Sequence, residues 1–276
     1  MFEDAVIPLD AWVTHFVDWL VNNYRDLFQA LKWPVEAMLN GMDKGLNWMH
    51  PLVVIAIITL IAWRFSGKGL AIFSAVTLTI VGLLGLWSET MTTLAMVLSS
   101  VVFCAIAGIP LGIWAGRSDR FEMSLRPVLD AMQTTPAFVY LVPIVMLFSV
   151  GNVAGVLATI VFALPPIVRL TSLGIRQVHP ELVEAAQAFG ATKWQVLTRV
   201  QVPLALPTML AGLNQTIMMA LSMVVIAALI GAGGLGSPVI LGLNTLDIGR
   251  AVTGGFGIVL MAIVLDRITQ SMAQRN

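Results

Sequence analysis

A chain of 276 residues that is 58% hydrophobic and only 11% charged lacks the roughly 25% charged content of a soluble domain. With a mean hydropathy of +0.90, most of its surface meets lipid rather than water, which excludes an ordinary soluble fold. Its net charge of zero argues against a nucleic-acid partner.

Met1 to Asp10 carries Glu3 and Asp4 where a cleavable signal peptide needs positive charge, so no such signal is expected. Between residues 10 and 33, Trp12, Val13, Phe16, Val17, Leu20, Tyr24, Leu27, Phe28 and Leu31 recur at helical spacing. Asp10, Asp18, Asn22, Asn23, Asp26, Gln29 and Lys32 lie between them. This pattern predicts an amphipathic helix that stops near Pro34, suited to lying on membrane lipid or to clasping a bundle. Residues 1–48 therefore form an N-terminal amphipathic segment, and 49–276 a transmembrane domain. Seven apolar runs follow, at about 49–65, 69–87, 90–115, 128–149, 152–174, 203–230 and 249–268. Pro110, Pro143, Pro165 and Pro166 fall inside them, where neighbouring membrane helices absorb a kink. The expected fold is an all-α transmembrane bundle.

Basic residues orient the bundle. With alternating spans, Arg64, Lys68, Arg117, Arg120, Arg126, Arg169, Arg176, Lys193, Arg199, Arg267 and Arg275 share one side. Arg25, Lys32, Lys44 and Arg250 share the other. Positive charge marks the cytoplasm, so the C-terminus is expected inside and the N-terminal segment outside, in a multi-pass membrane protein.

Residues 175–202 are too polar for a span but carry helix signals. Pro180 suits a helix start, with Glu181 and Glu184 in its first turns. Gly190 stops that helix. Thr192 and Gln195 have capping-box spacing and start another, ending at Pro203. A short helix–turn–helix on the cytoplasmic face is expected.

Glu184-Ala185-Ala186, Gly190 and Val200-Gln201-Val202-Pro203 together resemble the EAA signature of ABC-importer permeases, with valines where isoleucine and leucine are usual. The stretch Asp130-Ala131-Met132-Gln133-Thr134-Thr135-Pro136-Ala137-Phe138-Val139-Tyr140-Leu141-Val142-Pro143 resembles permeases of the proline/glycine betaine (quaternary amine) importers. So do Phe162-Ala163-Leu164-Pro165-Pro166 and Ala220-Leu221-Ser222-Met223-Val224-Val225-Ile226-Ala227, and the likeness runs from about residue 8 to 270. The N-terminal tail is shorter here than in enteric members, which leaves choline or another betaine open beside glycine betaine and proline betaine. The resemblance implies a type I ABC-importer permease bundle, a permease homodimer, two cytoplasmic ATPase subunits and an extracytoplasmic substrate-binding protein. It implies that Glu184, Ala185, Ala186, Gly190, Ala191, Thr192 and Pro203 couple the permease to the ATPase. Thr135, Pro136, Phe138 and Tyr140, inside the fourth span, are candidates for lining the translocation path, against ordinary helix packing.

Other signals point nowhere chemical. Gly231-Ala232-Gly233-Gly234-Leu235-Gly236 spells GxGxxG, but it ends an apolar helix and Pro238 follows, so it reads as a flexible outer loop. There is no GxxxxGK[ST], so ATP hydrolysis belongs to another subunit, and no cofactor is expected. Cys104 reads as a buried small hydrophobe. His15, His50 and His179 lack ligand spacing, so no metal is expected. Trp48, Trp63, Trp87 and Trp114 fall near span ends, as in an interface belt. Glu89, Asp130 and Asp266 lie at span ends within reach of water. A proton-coupled secondary transporter, or a channel for a small polar solute, is the alternative. It has no mid-span carboxylate or histidine to use and no place for the coupling signature. A membrane-embedded enzyme would need a catalytic grouping inside the bilayer, and the sequence shows none.

Overall fold

Helix α1, Leu9–Trp48, opens the computed structural model, which describes residues 9–274; among these every regular element is helical. Pro34 does not end α1, contrary to the sequence expectation. The helix runs through it because Val35 and Leu39, just beyond, are buried against the central bundle. That packing outweighs the hydrogen bond a proline removes. The irregularity falls instead at Tyr24, whose φ of −124° and ψ of 24° break the helical path.

Two helices of 16 residues follow as a hairpin, α2 (Pro51–Ser66) and α3 (Lys68–Leu83), turning at Gly67 with φ +90°. Each spans about 24 Å, short of a hydrocarbon core of about 30 Å. This is why the count departs from seven. Among the described residues four helices are long and apolar enough to cross a membrane alone, and two bent helix pairs, each taken as one span, raise the number to as many as six.

The centre is built from three of the long helices: α4 (Trp87–Arg117), α7 (Asn152–Arg176) and α10 (Val202–Ile226). Along α4, Gly108, Gly112 and Gly116 form a stripe at four-residue spacing. They face Ile167, Thr171 and Ile175 of α7, which runs parallel to α4. A Cβ on Gly112 would sit 2.5 Å from the Thr171 Cβ and 2.7 Å from the Val168 carbonyl oxygen. Only glycine permits this approach. On the other side α10 runs antiparallel to α7. Gly174 meets Ala205, and a Cβ on Gly212 would lie 2.9 Å from the Leu170 Cβ. Pro165 and Pro166 are buried in α7, which continues across them, packed against Gly212.

The remaining pieces surround that centre. The apolar run 128–149, expected as one span, is α5 (Asp119–Thr134), a 3-10 turn (Ala137–Tyr140) and α6 (Leu141–Phe148), with a bend of 105° between the two helices. An additional short helix, α11 (Gly236–Thr245), leads into α12 (Ile248–Gln274). Val264 and Ile268 of α12 close the α2–α3 hairpin through Ala62 and Ala71. Asp266 accepts hydrogen bonds from Asn214 of α10 at 3.3 Å and from Gln270.

The GxGxxG segment is not a flexible loop. Gly233 N–H donates to Asn152 Oδ1 at 2.6 Å, and Leu235 N–H donates to Thr93 Oγ1 at 2.8 Å. Gly151 N–H donates to Ile230 O at 3.1 Å. Leu235 and Ala232 are buried. Positive φ at Gly231 and Gly234 makes the two sharp turns that bring these groups together. The segment ties the ends of α4, α7 and α10 at one end of the bundle.

Replacing Gly112 by leucine is expected to disrupt this centre. Overpacking typically costs about 1–3 kcal/mol, and here the added carbons meet backbone as well as a side chain. Fluorescence-detected size exclusion should show loss of most monodisperse permease in Gly112→Leu. Gly255→Leu, where a Cβ meets nothing within 4 Å, should behave like the parent.

Candidate functional site

At the end opposite the 231–235 tie, the connection between α7 and α10 projects from the bundle. Helix α8, Pro180–Ala188, begins with proline at its first position and has Glu181 in its first turn. It ends in a Schellman motif. Gly190 N–H donates to Gln187 O at 2.9 Å, Ala191 N–H donates to Ala186 O at 3.0 Å, and Gly190 has φ +82°. Helix α9, Lys193–Val196, starts with the full capping box. Gln195 N–H donates to Thr192 Oγ1 at 3.3 Å, and Thr192 N–H donates to Gln195 Oε1 at 2.8 Å. The helix–turn–helix expected from sequence is therefore present.

Its exit differs from expectation. Nothing ends at Pro203. α9 passes through a π turn, Leu197–Gln201, where Val202 N–H donates back to Leu197 O, and continues as α10. Pro203 occupies the first turn of α10, where its missing N–H does least harm.

The loop presents an uncovered face. Glu184 and Ala185 are exposed, and Ala186, Ala191 and Val183 are half-buried. Leu182, Ala185 and Phe189 lie along one side of α8, and Phe189 is 93% exposed. Trp194 on α9 is 69% exposed. Such side chains in a polar loop are the kind that anchor protein contacts. On the side toward the bundle, Val196 and Leu197 are buried, and Leu197 packs with Ile175. A cavity of about 280 Å³ separates α8 from the end of α4, lined by Arg117, Val183, Gln187, Lys193 and Gln201.

Ion pairs join α5 to this end. Arg176 donates to Asp119 at 2.6 Å and to the Ala115 carbonyl at 2.8 Å, and pairs with Glu122 at 2.8 Å. Arg126 pairs with Glu122 at 3.1 Å, and Arg169 of α7 pairs with Asp130 of α5. Asp130 is thus an interhelical partner. These pairs enclose a cavity of about 350 Å³ with Leu125, Leu129 and Leu173. No sequence spacing links Asp130 to Arg169. The glycine stripe of α4, by contrast, was readable as repeated GxxxG.

The four candidate path residues meet at the bend between α5 and α6 rather than inside a continuous span. Thr135, before proline, is extended with ψ 126°, as the proline ring requires. Pro136 cannot donate to the Met132 carbonyl four residues back. The Tyr140 hydroxyl fills that place, donating to Met132 O at 2.7 Å. Thr135 Oγ1 donates to Ala131 O at 2.8 Å. Tyr140 also meets Phe162 of α7 edge-on at 6.2 Å. Phe138 is exposed. Thr135 and Tyr140 border an open hollow of about 500 Å³ with Pro127, Val128, Ala131 and Met132.

Residues 108–276 match the family described as binding-protein-dependent transport system inner membrane component. The chain belongs to this family. It is a multi-pass permease of the inner membrane. It is 54% identical over 273 residues to the glycine betaine/proline betaine transport system permease protein ProW of Escherichia coli (strain K12), covering 99% of this chain and 77% of that protein. It is 44% identical over 266 residues to the glycine betaine transport system permease protein OpuAB of Bacillus subtilis (strain 168), covering 96% and 94% respectively. Among solved structures, an inward-facing form of the MetNI methionine ABC transporter aligns with TM-score 0.56 and 25% identity, covering 66% of this permease and 90% of that chain. The fold is that of an ABC importer permease.

Tyr140→Phe should leave the Met132 carbonyl unpaired. Such interhelical-type hydrogen bonds contribute about 1 kcal/mol in membranes, so local opening at the bend should become roughly fivefold more frequent. Amide exchange over residues 136–141 of purified permease measures it, with Phe138→Ala unchanged.

Proposed function

We propose that this permease forms, as a homodimer, the path by which a quaternary amine osmolyte such as glycine betaine, proline betaine or choline enters the cell. Two separate cytoplasmic ATPase subunits drive it and an extracytoplasmic binding protein loads it. The geometric observation that carries the reading is the projecting loop 175–202, whose Phe189 no element among the described residues covers. An ATPase surface with an apolar cup and a basic rim would take Phe189 together with Glu181 and Glu184. The basic partition supports placing that loop and the C-terminus in the cytoplasm and residues 1–48 outside. The names of the relatives support the solute class. ATP-driven closure of the ATPase pair then moves the two loops and switches the two copies between inward-facing and outward-facing forms. Thr135, Pro136, Phe138 and Tyr140 lie where a helix break opens a hollow, which supports a place on the path.

Uptake into vesicles carrying permease, ATPase and binding protein tests the solute. Labelled glycine betaine or choline should accumulate with ATP, whereas an amino-acid control should not. Accumulation of only a chemically unrelated solute would sink the assignment.

Coupling is tested separately. A Cβ at Gly190 meets nothing within 4 Å, so Gly190→Asp changes the outer surface and strains one residue without filling the interior. It should insert normally yet lose solute-stimulated ATPase activity and uptake, with the binding protein's affinity unaltered. Phe189→Ala should weaken ATPase association by roughly 30-fold, the size of a hot-spot loss. Glu184→Ala should act mildly, as rim charges do. Undiminished coupling in both Gly190→Asp and Phe189→Ala would place the ATPase contact elsewhere.

A further inference from the structure

Helix α1 divides by burial. Among residues 11–34 none is buried, and burial begins at Val35 and Leu39. The outboard arm nevertheless carries exposed Trp12, Val13, Phe16 and Trp19 at positions i, i+1, i+4 and i+7, with Leu27 and Leu31 continuing beyond the Tyr24 break. Its aromatic rings meet mainly one another: Phe16 stacks on Trp19 at 6.3 Å, and Trp19 meets Tyr24 edge-on at 5.7 Å. A ring contact of 5.6 Å, between Phe28 and Phe148 of α6, ties the arm to the bundle. Asp18 lies across the helix from Phe16, and Asn22 on the polar flank.

Direction decides what can cover this face. α1 and α2 meet at a bend of 108°. α2 is apolar and enters the bilayer, so α1 lies across the span direction, in the plane of the membrane surface. By alternation of α2, α3 and α4, the junction lies at the end of the bundle tied by residues 231–235, opposite the coupling loop. Asp43 of α1, which accepts from Thr92 Oγ1 at 2.8 Å, fixes it there. An arm with tryptophan and phenylalanine on one face and carboxylates and amides on the other, held level with the bilayer surface, has the chemistry of an interfacial helix. Its charge is Asp18 and Asp26 against Arg25 and Lys32, a net of zero. Attraction to anionic headgroups is therefore not what would hold it.

We infer that residues 11–33 form an interfacial arm seated in the headgroup–acyl boundary of the leaflet opposite the coupling loop, aromatic face toward the acyl chains. Lipid surface is its partner, recognised by apolar area and independent of lipid charge. With the orientation proposed above, that leaflet is the outer one. The arm holds the α1–α2 junction at the membrane surface and so sets the height at which the docked half of α1 crosses α4 and α7.

The test uses the full permease with Cys104→Ser as background and single cysteines at Trp12, Phe16 and Trp19 or at Asp18 and Asn22. These side chains are exposed, so folding is confirmed by retained uptake. Each cysteine carries an environment-sensitive fluorophore in phosphatidylcholine vesicles. Spin-labelled lipid should quench the first set at least about threefold more than the second, and aqueous iodide should do the reverse. Adding anionic lipid or salt should leave the pattern unchanged. Equal quenching of both faces by iodide would put the arm in water and overturn the inference. So would a Phe16→Cys arm that lipid quenchers do not reach but that crosslinks to a second copy. Asn22→Cys should react with an impermeant maleimide from outside spheroplasts. Reaction only from the cytoplasmic side would overturn the orientation and the assigned leaflet, while the quenching pattern would still decide whether lipid is the partner.

Discussion

The close approach of α4 to α7 is the contact on which the rest of the structure depends. Lipid tails are as apolar as leucine, so helices in a bilayer gain little by hiding apolar side chains from them. What favours association is dense packing, and that needs backbones near one another. Gly108, Gly112 and Gly116 present a flat groove on α4, into which Ile167, Thr171 and Ile175 of α7 fit. α10 then closes on the other side of α7 through Gly174 and Gly212. Arg176 follows directly on the last of these contacts, at Ile175, and it holds the end of α4 through Ala115 O and the start of α5 through Asp119. The loop carrying α8 begins immediately after it. Loosening the glycine groove would displace every one of these groups.

Pro136, Pro143 and Pro203 are accommodated in different ways, and at Pro136 the orphaned carbonyl finds a new donor. In a bilayer an unpaired carbonyl is costly, so a break survives only where another donor arrives. At Pro136 the donor is the Tyr140 hydroxyl, which turns a lost helical bond into a pinned bend of 105°. At Pro203 the wide turn of Leu197–Gln201 precedes the proline, and its ring falls in the first turn of the next helix. Pro143 sits likewise in the first turn of α6. At Pro136 the substitute donor gathers Met132, Thr135, Tyr140 and Phe162 at one place.

Local signals were legible in the sequence because they act over one helical turn. Pro180, Gly190, Thr192 and Gln195 specify a start, a left-handed stop and a reciprocal cap using neighbouring atoms alone, and each is found as expected. The apolar runs likewise locate the long helices, since lipid selects on composition. What stayed hidden depends on partners distant in the chain. Pro34 carries the local signature of a stop, but burial of Val35 and Leu39 on the bundle prevails over it. The 231–236 segment has the composition of a mobile loop, and only Asn152 and Thr93, some 80 and 142 residues away in sequence, hold it rigid. Asp130 and Asp266 looked alike as span-end carboxylates. One pairs with an arginine and the other with two amides, a difference that no periodicity records.

These constraints bear directly on how a push on the loop would be transmitted. From Lys193 to Ile230 the chain is one helical rod of 38 residues. At about 1.5 Å per residue it extends roughly 57 Å. Its near end is joined to α8 through the capped turn at Thr192. Its far end is bound to α7 through Ile230 O and Gly151 N–H, and the segment that follows it is bound to α4 through Thr93. Between those ends it is held to α7 by close approaches at Gly174, Gly212 and Gly155, the last meeting Ala227. A rod fixed at both ends and along its side cannot bend independently of its neighbours. If an ATPase moves α8, the α4–α7–α10 unit turns with it as one body, and deformation is left to the joints outside that unit. The bend at Thr135–Pro136 is one such joint, held to the core by Tyr140 and by ion pairs between partly exposed groups, which are weaker than buried packing. The boundary between the two proposed permease copies is the other. Solute passage would then depend on how the rigid cores swing relative to those joints, with the glycine groove itself unchanged throughout the cycle.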